Sequence, residues 1–163
     1  MNDVPVVSVV GMSGAGKTTF LEKLIRELKS RNIRAGVIKH HTHNIEIDTP
    51  GKDTWRLARA GAETVIISTP GKYALFRKLE QEEPLDNLAG LISGVDIVFT
   101  EGYKRGDRPK IEVNRSAHSD SLVSDPSSLI AIVSDVPREA GVPVFGLEDC
   151  EGVADFLIEK YKL

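Results

Sequence analysis

The sequence predicts an α/β protein with a three-layer fold, a mostly parallel β-sheet and an added antiparallel edge hairpin. A β-branched run leads into a glycine-rich turn, an amphipathic helix follows the turn, and a second apolar run completes a strand–helix–strand unit. The two strands of such a unit lie parallel, and the crossover is right-handed. A chain of 163 residues with 40% hydrophobic residues can bury one core, so we expect a single domain over residues 1–163.

Turn and cap residues delimit the elements of the first half. The first strand covers residues 4–10, the first helix residues 18–30 with one apolar stripe, and the second strand residues 34–40. Thr49 would cap the next helix, with Pro50 in its first turn and Gly61 at its end. That helix would pack through Trp55, Leu57, Ala58 and Ala62. Residues 63–68 and 73–79 flank a Pro-Gly turn and predict the antiparallel hairpin.

The second half alternates short strands with two helices. A helix over residues 85–92 would end at Gly94, and strands are predicted over residues 96–100, 110–113, 129–134 and 143–145. Residues 114–128 are rich in serine and predict a mobile loop. The last helix, over residues 149–161, would pack through Val153, Phe156, Leu157 and Tyr161.

Composition and charge exclude several classes of function. The 21 basic and 24 acidic residues give a net charge of −3, which argues against a nucleic-acid binder or a binder of anionic membranes. Cys150 is the single cysteine, so no intrachain disulfide can form and a reducing compartment suits the chain. The start Met1-Asn2-Asp3 lacks the basic residues of a secretion signal, and no apolar run approaches the ~20 residues that span a bilayer. We therefore expect a cytoplasmic protein.

Residues 11–18, Gly-Met-Ser-Gly-Ala-Gly-Lys-Thr, match the Walker A pattern G-x-x-x-x-G-K-[ST] at every fixed position. A strand precedes the motif and a helix follows it, which favours a P-loop NTPase-like fold over a chance glycine turn. Backbone N–H groups of such a loop face a phosphate, Lys17 would reach the β- and γ-phosphates, and the Thr18 hydroxyl would bind Mg²⁺. The predicted nucleotide-binding residues are Gly11, Ser13, Gly14, Ala15, Gly16, Lys17, Thr18 and Thr19.

Acidic residues at strand ends are candidates to complete the site. Glu101 follows the strand over residues 96–100 and would bind Mg²⁺ with Thr18, the alternative being a glutamate that simply meets solvent. Asp48 and Asp53 could align an attacking water, so they join Lys17 as catalytic candidates; Asp53 could equally stabilise the first turn of its helix.

Base recognition has a separate candidate. Asp135 follows the strand over residues 129–134, and its carboxylate can accept hydrogen bonds from guanine N1–H and N2–H₂ together, a donor pair that adenine lacks. The usual guanine signature Asn-Lys-x-Asp is absent, and the alternative for Asp135 is to cap the following turn.

A histidine cluster, His40-His41-x-His43, follows the second strand. Three histidines so close together suggest a metal site, but they follow a strand rather than share one helix face, and no cysteine is near. We favour a solvent-facing loop.

The chain resembles the MobB family, the molybdopterin-guanine dinucleotide biosynthesis adaptor proteins. The resemblance covers the P-loop and the blocks Val-Ile-Lys-His at 37–40, Asp-Thr-Pro-Gly-Lys-Asp-Thr at 48–54, Ala-Gly-Ala at 60–62, Thr-Glu-Gly-Tyr-Lys at 100–104 and Pro-Lys-Ile-Glu at 109–112. It implies a GTP-binding accessory protein with weak GTPase activity and Mg²⁺, usually a homodimer. It also implies a partner, the guanylyltransferase MobA, which joins GMP to molybdopterin.

Two other functions remain open from the sequence. A small-molecule kinase would use the same loop, with Arg105, Arg108 and Arg115 in a lid over the phosphates. A metallochaperone GTPase would use the histidine cluster of residues 40–43. Intrinsic hydrolysis is expected to be slow if no arginine of the chain itself completes the transition-state charge.

Overall fold

A computed structural model describes residues 4–163 of the chain; the sequence argument from Met1-Asn2-Asp3 lies outside the described residues. In chain order the elements are β1 (Val6–Val10), α1 (Lys17–Ser30), β2 (Ala35–Lys39), α2 (Asp53–Arg59), β3 (Thr64–Ser68), β4 (Tyr73–Arg77), α3 (Leu85–Gly90), β5 (Ile97–Glu101), β6 (Lys110–Asn114), β7 (Leu129–Ser134), β8 (Val144–Gly146) and α4 (Cys150–Tyr161). The chain divides into two compact units: the chain through His40 with Asp86–Leu163, and His41–Leu85. A single domain over residues 1–163 stays a prediction.

The first unit contains a six-stranded, entirely parallel sheet with strand order β2-β5-β1-β6-β7-β8. The predicted mostly parallel α/β fold is therefore confirmed. From β1 the chain passes through α1 to β2 on one side, whereas β6, β7 and β8 lie on the other side. The carboxyl end of β1 is thus the switch point at which sheets of this kind bind ligands.

One face of this sheet carries the apolar core. Helices α1 and α4 pack against each other, and both place apolar side chains on the sheet, because each has an apolar stripe at helical spacing. The predicted packing side of the last helix is confirmed: Val153 and Leu157 are fully buried, and Phe156 and Tyr161 pack at the margin. The strand and helix residues of the core include Val7, Val9, Leu24, Leu28, Phe99, Ile111, Val113, Val133, Val153 and Leu157.

The opposite face of β6 is buried but polar. Lys110 donates hydrogen bonds to the carbonyl oxygens of Gly106 and Arg108 and to Ser128 Oγ, at 2.5, 3.3 and 3.0 Å. Glu112 is 0% exposed and accepts hydrogen bonds from the N–H groups of Val123 and Ser124 at 2.8 and 2.9 Å. Loops therefore cover this face of β6, and the Lys110 and Glu112 side chains bind these loops by hydrogen bonds.

The stretch predicted as a mobile loop, residues 114–128, is irregular except for the end of β6 and a short 3₁₀ turn over Pro126–Ser128. Asn114 Nδ2 donates to Ser121 O at 3.2 Å, and Arg138 donates to Asn114 Oδ1 and Asp120 O, each at 2.5 Å. Serine-rich composition indicated a loop, but long-range hydrogen bonds tie that loop to the sheet.

The second unit contains the antiparallel hairpin β3–β4, paired from Thr64 with Arg77 to Ser68 with Tyr73. The predicted hairpin is confirmed, but its placement at an edge of the larger sheet is wrong, because β3 and β4 pair only with each other among the described residues. Alternation along a strand shows which face is apolar and does not show which sheet the strand joins.

Helix α2, also in the second unit, begins later than predicted. Asp48 Oδ1 accepts the Thr49 N–H at 2.7 Å, and Lys52 N donates to Thr49 O at 3.2 Å, so a turn precedes the helix and Lys52 is its N-cap. The predicted packing side is wrong: none of the α2 residues is buried, and Leu57 is 57% exposed.

Over residues 4–163, the helices all fall short of the length and apolar character needed to cross a membrane.

Candidate nucleotide-binding site

The segment between β1 and α1 has the backbone of a phosphate-binding loop. Gly11, Gly14 and Gly16 have φ angles of +143°, +78° and +93°, a region that side chains rarely enter. Gly16 is the N-cap of α1 and provides no side-chain acceptor for the first-turn N–H groups. These orphan donors and the helix dipole together form a site for an anion.

Gly11 is required by a close approach as well as by its φ angle. A Cβ atom at residue 11 would lie 2.2 Å from the carbonyl oxygen of Val113 in β6. The loop therefore leaves β1 in direct backbone contact with the neighbouring strand.

Lys17 lies across the loop. Its Nζ donates hydrogen bonds to the carbonyl oxygens of Gly11 at 3.2 Å and Met12 at 2.8 Å. Partial burial, together with the positive charges of Lys104 and Lys39, lowers the pKa of the Lys17 amine, and Glu101 opposes that shift. Three lysines and one carboxylate thus share this edge of the sheet, leaving an excess of positive charge that suits a polyanion.

Thr18 and Glu101 meet beside the loop. The Thr18 hydroxyl lies 2.9 and 3.0 Å from the two carboxylate oxygens of Glu101, which is the last residue of β5. Lys39 pairs with Glu101 at 3.4 Å, because β2 and β5 place these two residues opposite each other in register. A hydroxyl and a carboxylate are hard oxygen ligands, so this donor set fits Mg²⁺.

A turn after β6 supports the loop from the other side; the sequence suggested Arg115 of this turn for a lid and did not predict its contact with the loop. Arg115 Nε donates to Ala15 O at 3.2 Å, and the His118 ring lies 3.0 Å from where a Cβ on Gly14 would stand. Asp135 accepts hydrogen bonds from Ser116 N at 2.9 Å and Ser116 Oγ at 3.1 Å. The turn therefore lies between Asp135 and the P-loop.

The hydrogen bonds from Ser116 lower the pKa of Asp135. Both carboxylate oxygens of Asp135 accept hydrogen bonds within the protein, so the structure shows a positioning role for this residue. Recognition of guanine by Asp135 stays a prediction.

The arginines proposed for a kinase lid are partly engaged elsewhere. Arg108 forms an ion pair with Asp86, and Arg115 holds the Ala15 carbonyl through Nε. Arg105 is exposed.

Asp48 and Asp53 belong to the second unit, so their catalytic roles stay predictions. Asp53 begins α2, with its side chain 97% exposed and 3.9 Å from Arg56.

His40 stacks on Tyr103 at 4.2 Å. Within residues 4–163, no three His, Cys, Asp or Glu side chains are grouped so that they could hold a metal ion. This arrangement gives the metallochaperone hypothesis no support.

The parallel sheet with a phosphate loop at its switch point defines a P-loop α/β protein. The family model described as "Molybdopterin guanine dinucleotide synthesis protein B" matches residues 6–135. The chain therefore belongs to the MobB family, as the sequence resemblance predicted.

Similarity to curated relatives extends over nearly the whole chain. The molybdopterin-guanine dinucleotide biosynthesis adapter protein of Escherichia coli is 39% identical and is aligned over 96% of this chain and 93% of its own length. The protein of the same name from Haemophilus influenzae is 35% identical over 96% of this chain and 89% of its own length. The crystal structure of Bacillus subtilis MobB superposes with a TM-score of 0.77 at 27% identity, covering 96% of this chain and 97% of that one.

Proposed function

We propose that this protein is a GTP-binding accessory protein with weak GTPase activity that acts in the biosynthesis of molybdopterin guanine dinucleotide. The observation that carries the nucleotide-binding part is the contact of Thr18 with both oxygens of Glu101, directly beside the P-loop. Family membership and the adapter names of the relatives support the pathway.

Each residue of the loop has a distinct task in this proposal. The N–H groups of Ser13 to Thr19 bind the phosphates, and the Lys17 ammonium exchanges its loop carbonyl partners for phosphate oxygens. Thr18 and Glu101 would hold Mg²⁺, which neutralises charge between the β- and γ-phosphates when bound. Lys39 and Lys104 add positive charge at the same edge.

We expect slow hydrolysis, because two of the three arginines considered for a lid already have partners. Arg108 forms an ion pair with Asp86, and Arg115 binds the Ala15 carbonyl. Phosphate-loop GTPases often need an arginine from a partner to neutralise the transition state, and such help raises turnover by ~10³–10⁵-fold. The protein would therefore keep GTP bound for a long time before hydrolysing it, which suits an adapter.

Partners follow from the family and from the surface of the second unit. The names of the relatives describe adapters, and we propose MobA as the enzyme that is helped, with molybdopterin present in the complex. The hairpin exposes Ile66, Ile67 and Tyr73, by 58%, 48% and 72%. Exposed apolar residues favour pairing with another chain when they lie on a two-stranded sheet whose outer edges pair with no other strand of residues 4–163. We therefore propose a homodimer, located in the cytoplasm.

Calorimetric titration tests nucleotide binding. The wild-type protein is expected to bind magnesium-GTP more tightly than magnesium-ATP, and Lys17→Ala is expected to lose binding with its circular dichroism spectrum unchanged. Lys29→Ala is the matched control, since Lys29 is an exposed lysine in the last turn of the same helix. Equal affinity for GTP and ATP would remove guanine specificity from the proposal.

A pull-down with the tagged full chain tests the pathway. Recovery of the guanylyltransferase together with GTP, identified by mass spectrometry, is the expected result. Rapid GDP or ADP production that depends on an added small metabolite would instead identify a kinase.

A further inference from the structure

A cleft borders the P-loop on the side away from Glu101. Ala15 and Gly16 of the loop form one wall, Thr19 and Lys23 of α1 the floor, and the segment after β8 the other wall.

Strand order gives the cleft a direction relative to the phosphate site. Glu101 ends β5 on one side of β1, whereas Val113 of β6 and the residues after β8 lie on the other side. A nucleotide whose β- and γ-phosphates lie near Thr18 and Glu101 would direct its α-phosphate and nucleoside across Gly16. The nucleobase of that nucleotide would then lie in the cleft.

The walls of the cleft combine flat or apolar surfaces with one charged pair. Leu147 and the Arg115 guanidinium line it, and guanidinium groups stack on aromatic rings. Lys23 and Glu148 both line the cleft, and Lys23 Nζ forms an ion pair with Glu148 Oε2. A side chain of Glu148 that is 77% exposed can reorient without disturbing the core.

We propose that this cleft is the nucleobase subsite and that Glu148 selects guanine; the inference rests on the proposed binding of GTP. The guanine edge offers N1–H and N2–H₂ as adjacent donors and O6 as an acceptor. The two oxygens of Glu148 accept from the donors, and Lys23 donates to O6. Adenine lacks the adjacent donor pair and turns an acceptor, N1, toward the carboxylate.

Glu148 takes the role that the sequence pattern suggested for Asp135. Asp135 has both oxygens bonded to Ser116, whereas Glu148 lines a cleft that is continuous with the P-loop. Asp135 therefore positions the turn that carries Arg115.

Exchange of the acid for an amide tests this assignment with xanthosine triphosphate as the probe. Xanthine has an oxygen where guanine has its 2-amino group, so Glu148→Gln can donate to that oxygen while accepting N1–H. We expect E148Q to bind magnesium-GTP about tenfold or more weakly and magnesium-XTP correspondingly more tightly. Glu151→Gln is the matched control, an exposed acid three residues further on that does not line the cleft.

Affinities for GTP, XTP and ATP would be measured by titration of the full chain. A reversed GTP-to-XTP preference in E148Q, and not in E151Q, supports the inference. An unchanged preference in E148Q, or the same reversal in Asp135→Asn, overturns it and leaves the proposed function intact. A wild-type protein that binds none of the three nucleotides would refute the proposed function itself.

Discussion

The contact between Gly11 and β6 makes a quantitative prediction about the P-loop. In Gly11→Ala, the new Cβ atom would lie 2.2 Å from the Val113 carbonyl oxygen, about 0.8 Å inside the 3.0 Å limit that real Cβ contacts respect. The φ angle of +143° adds backbone strain, because this region belongs to glycine. Neither term can relax cheaply, since the obstacle is the backbone of a strand with two partners in the sheet.

The two terms can be estimated separately. Strain at an unfavourable φ costs about 1–3 kcal/mol, and overpacking against a fixed neighbour costs about 1–3 kcal/mol more. Replacing glycine also lowers the entropy of the unfolded chain, which returns about 0.4–1 kcal/mol. The expected loss in the free energy of unfolding is therefore about 1–6 kcal/mol, against the roughly 5–15 kcal/mol of a typical domain.

Urea unfolding followed by circular dichroism measures this loss, and Gly141→Ala is the control. Gly141 has a φ of +68° with no heavy atom within 4 Å of the added Cβ, so its variant carries strain without a clash. We expect G141A to lose about 1 kcal/mol. If G11A is no less stable than G141A, the backbone contact with Val113 does not constrain the loop and the reasoning is refuted.

Two further predictions concern the first unit. Glu112→Ala should lower the free energy of unfolding by about 3 kcal/mol, because the N–H groups of Val123 and Ser124 lose a charged acceptor. Glu112→Gln should lower it by less. Equal losses for the two variants, measured by urea unfolding, would contradict this role of the carboxylate. Hydrogen bonds from Arg34 lower the pKa of Asp96 to about 2, from 3.8 in the unfolded chain. The carboxylate therefore stabilises the fold above pH 4, and this contribution is lost as the pH falls from 4 to 2. The difference in urea midpoint between wild type and Asp96→Asn should shrink over that interval, and a constant difference would contradict the assignment.

Local patterns predicted the strands, the two long helices and the P-loop, because each depends on residues that are neighbours in sequence. The strand over residues 129–134 was predicted to the residue, and the glutamate at the end of β5 was found from the position at which an apolar run stops. In both cases periodicity and turn residues contain the necessary information.

Contacts between distant residues account for what the sequence did not reveal. Arg115 reaches the carbonyl of Ala15, and Lys23 pairs with Glu148, across a hundred residues or more. Asp135 shows the limit most clearly, since its position after a strand suggested a ligand role, and only the structure shows Ser116 on both of its oxygens. No local pattern specifies such pairings.

The alternation of side chains along β6 has a consequence for how the sheet assembles. Ile111 and Val113 face the apolar side, while Lys110, Glu112 and Asn114 face the loops. Sliding this strand by one position would drive an ammonium and a carboxylate into hydrocarbon, with a penalty of several kcal/mol for each ion. A sheet with β6 in a shifted register is therefore disfavoured during folding. The correct register also fixes the position of the P-loop, because Gly11 lies against the Val113 carbonyl oxygen.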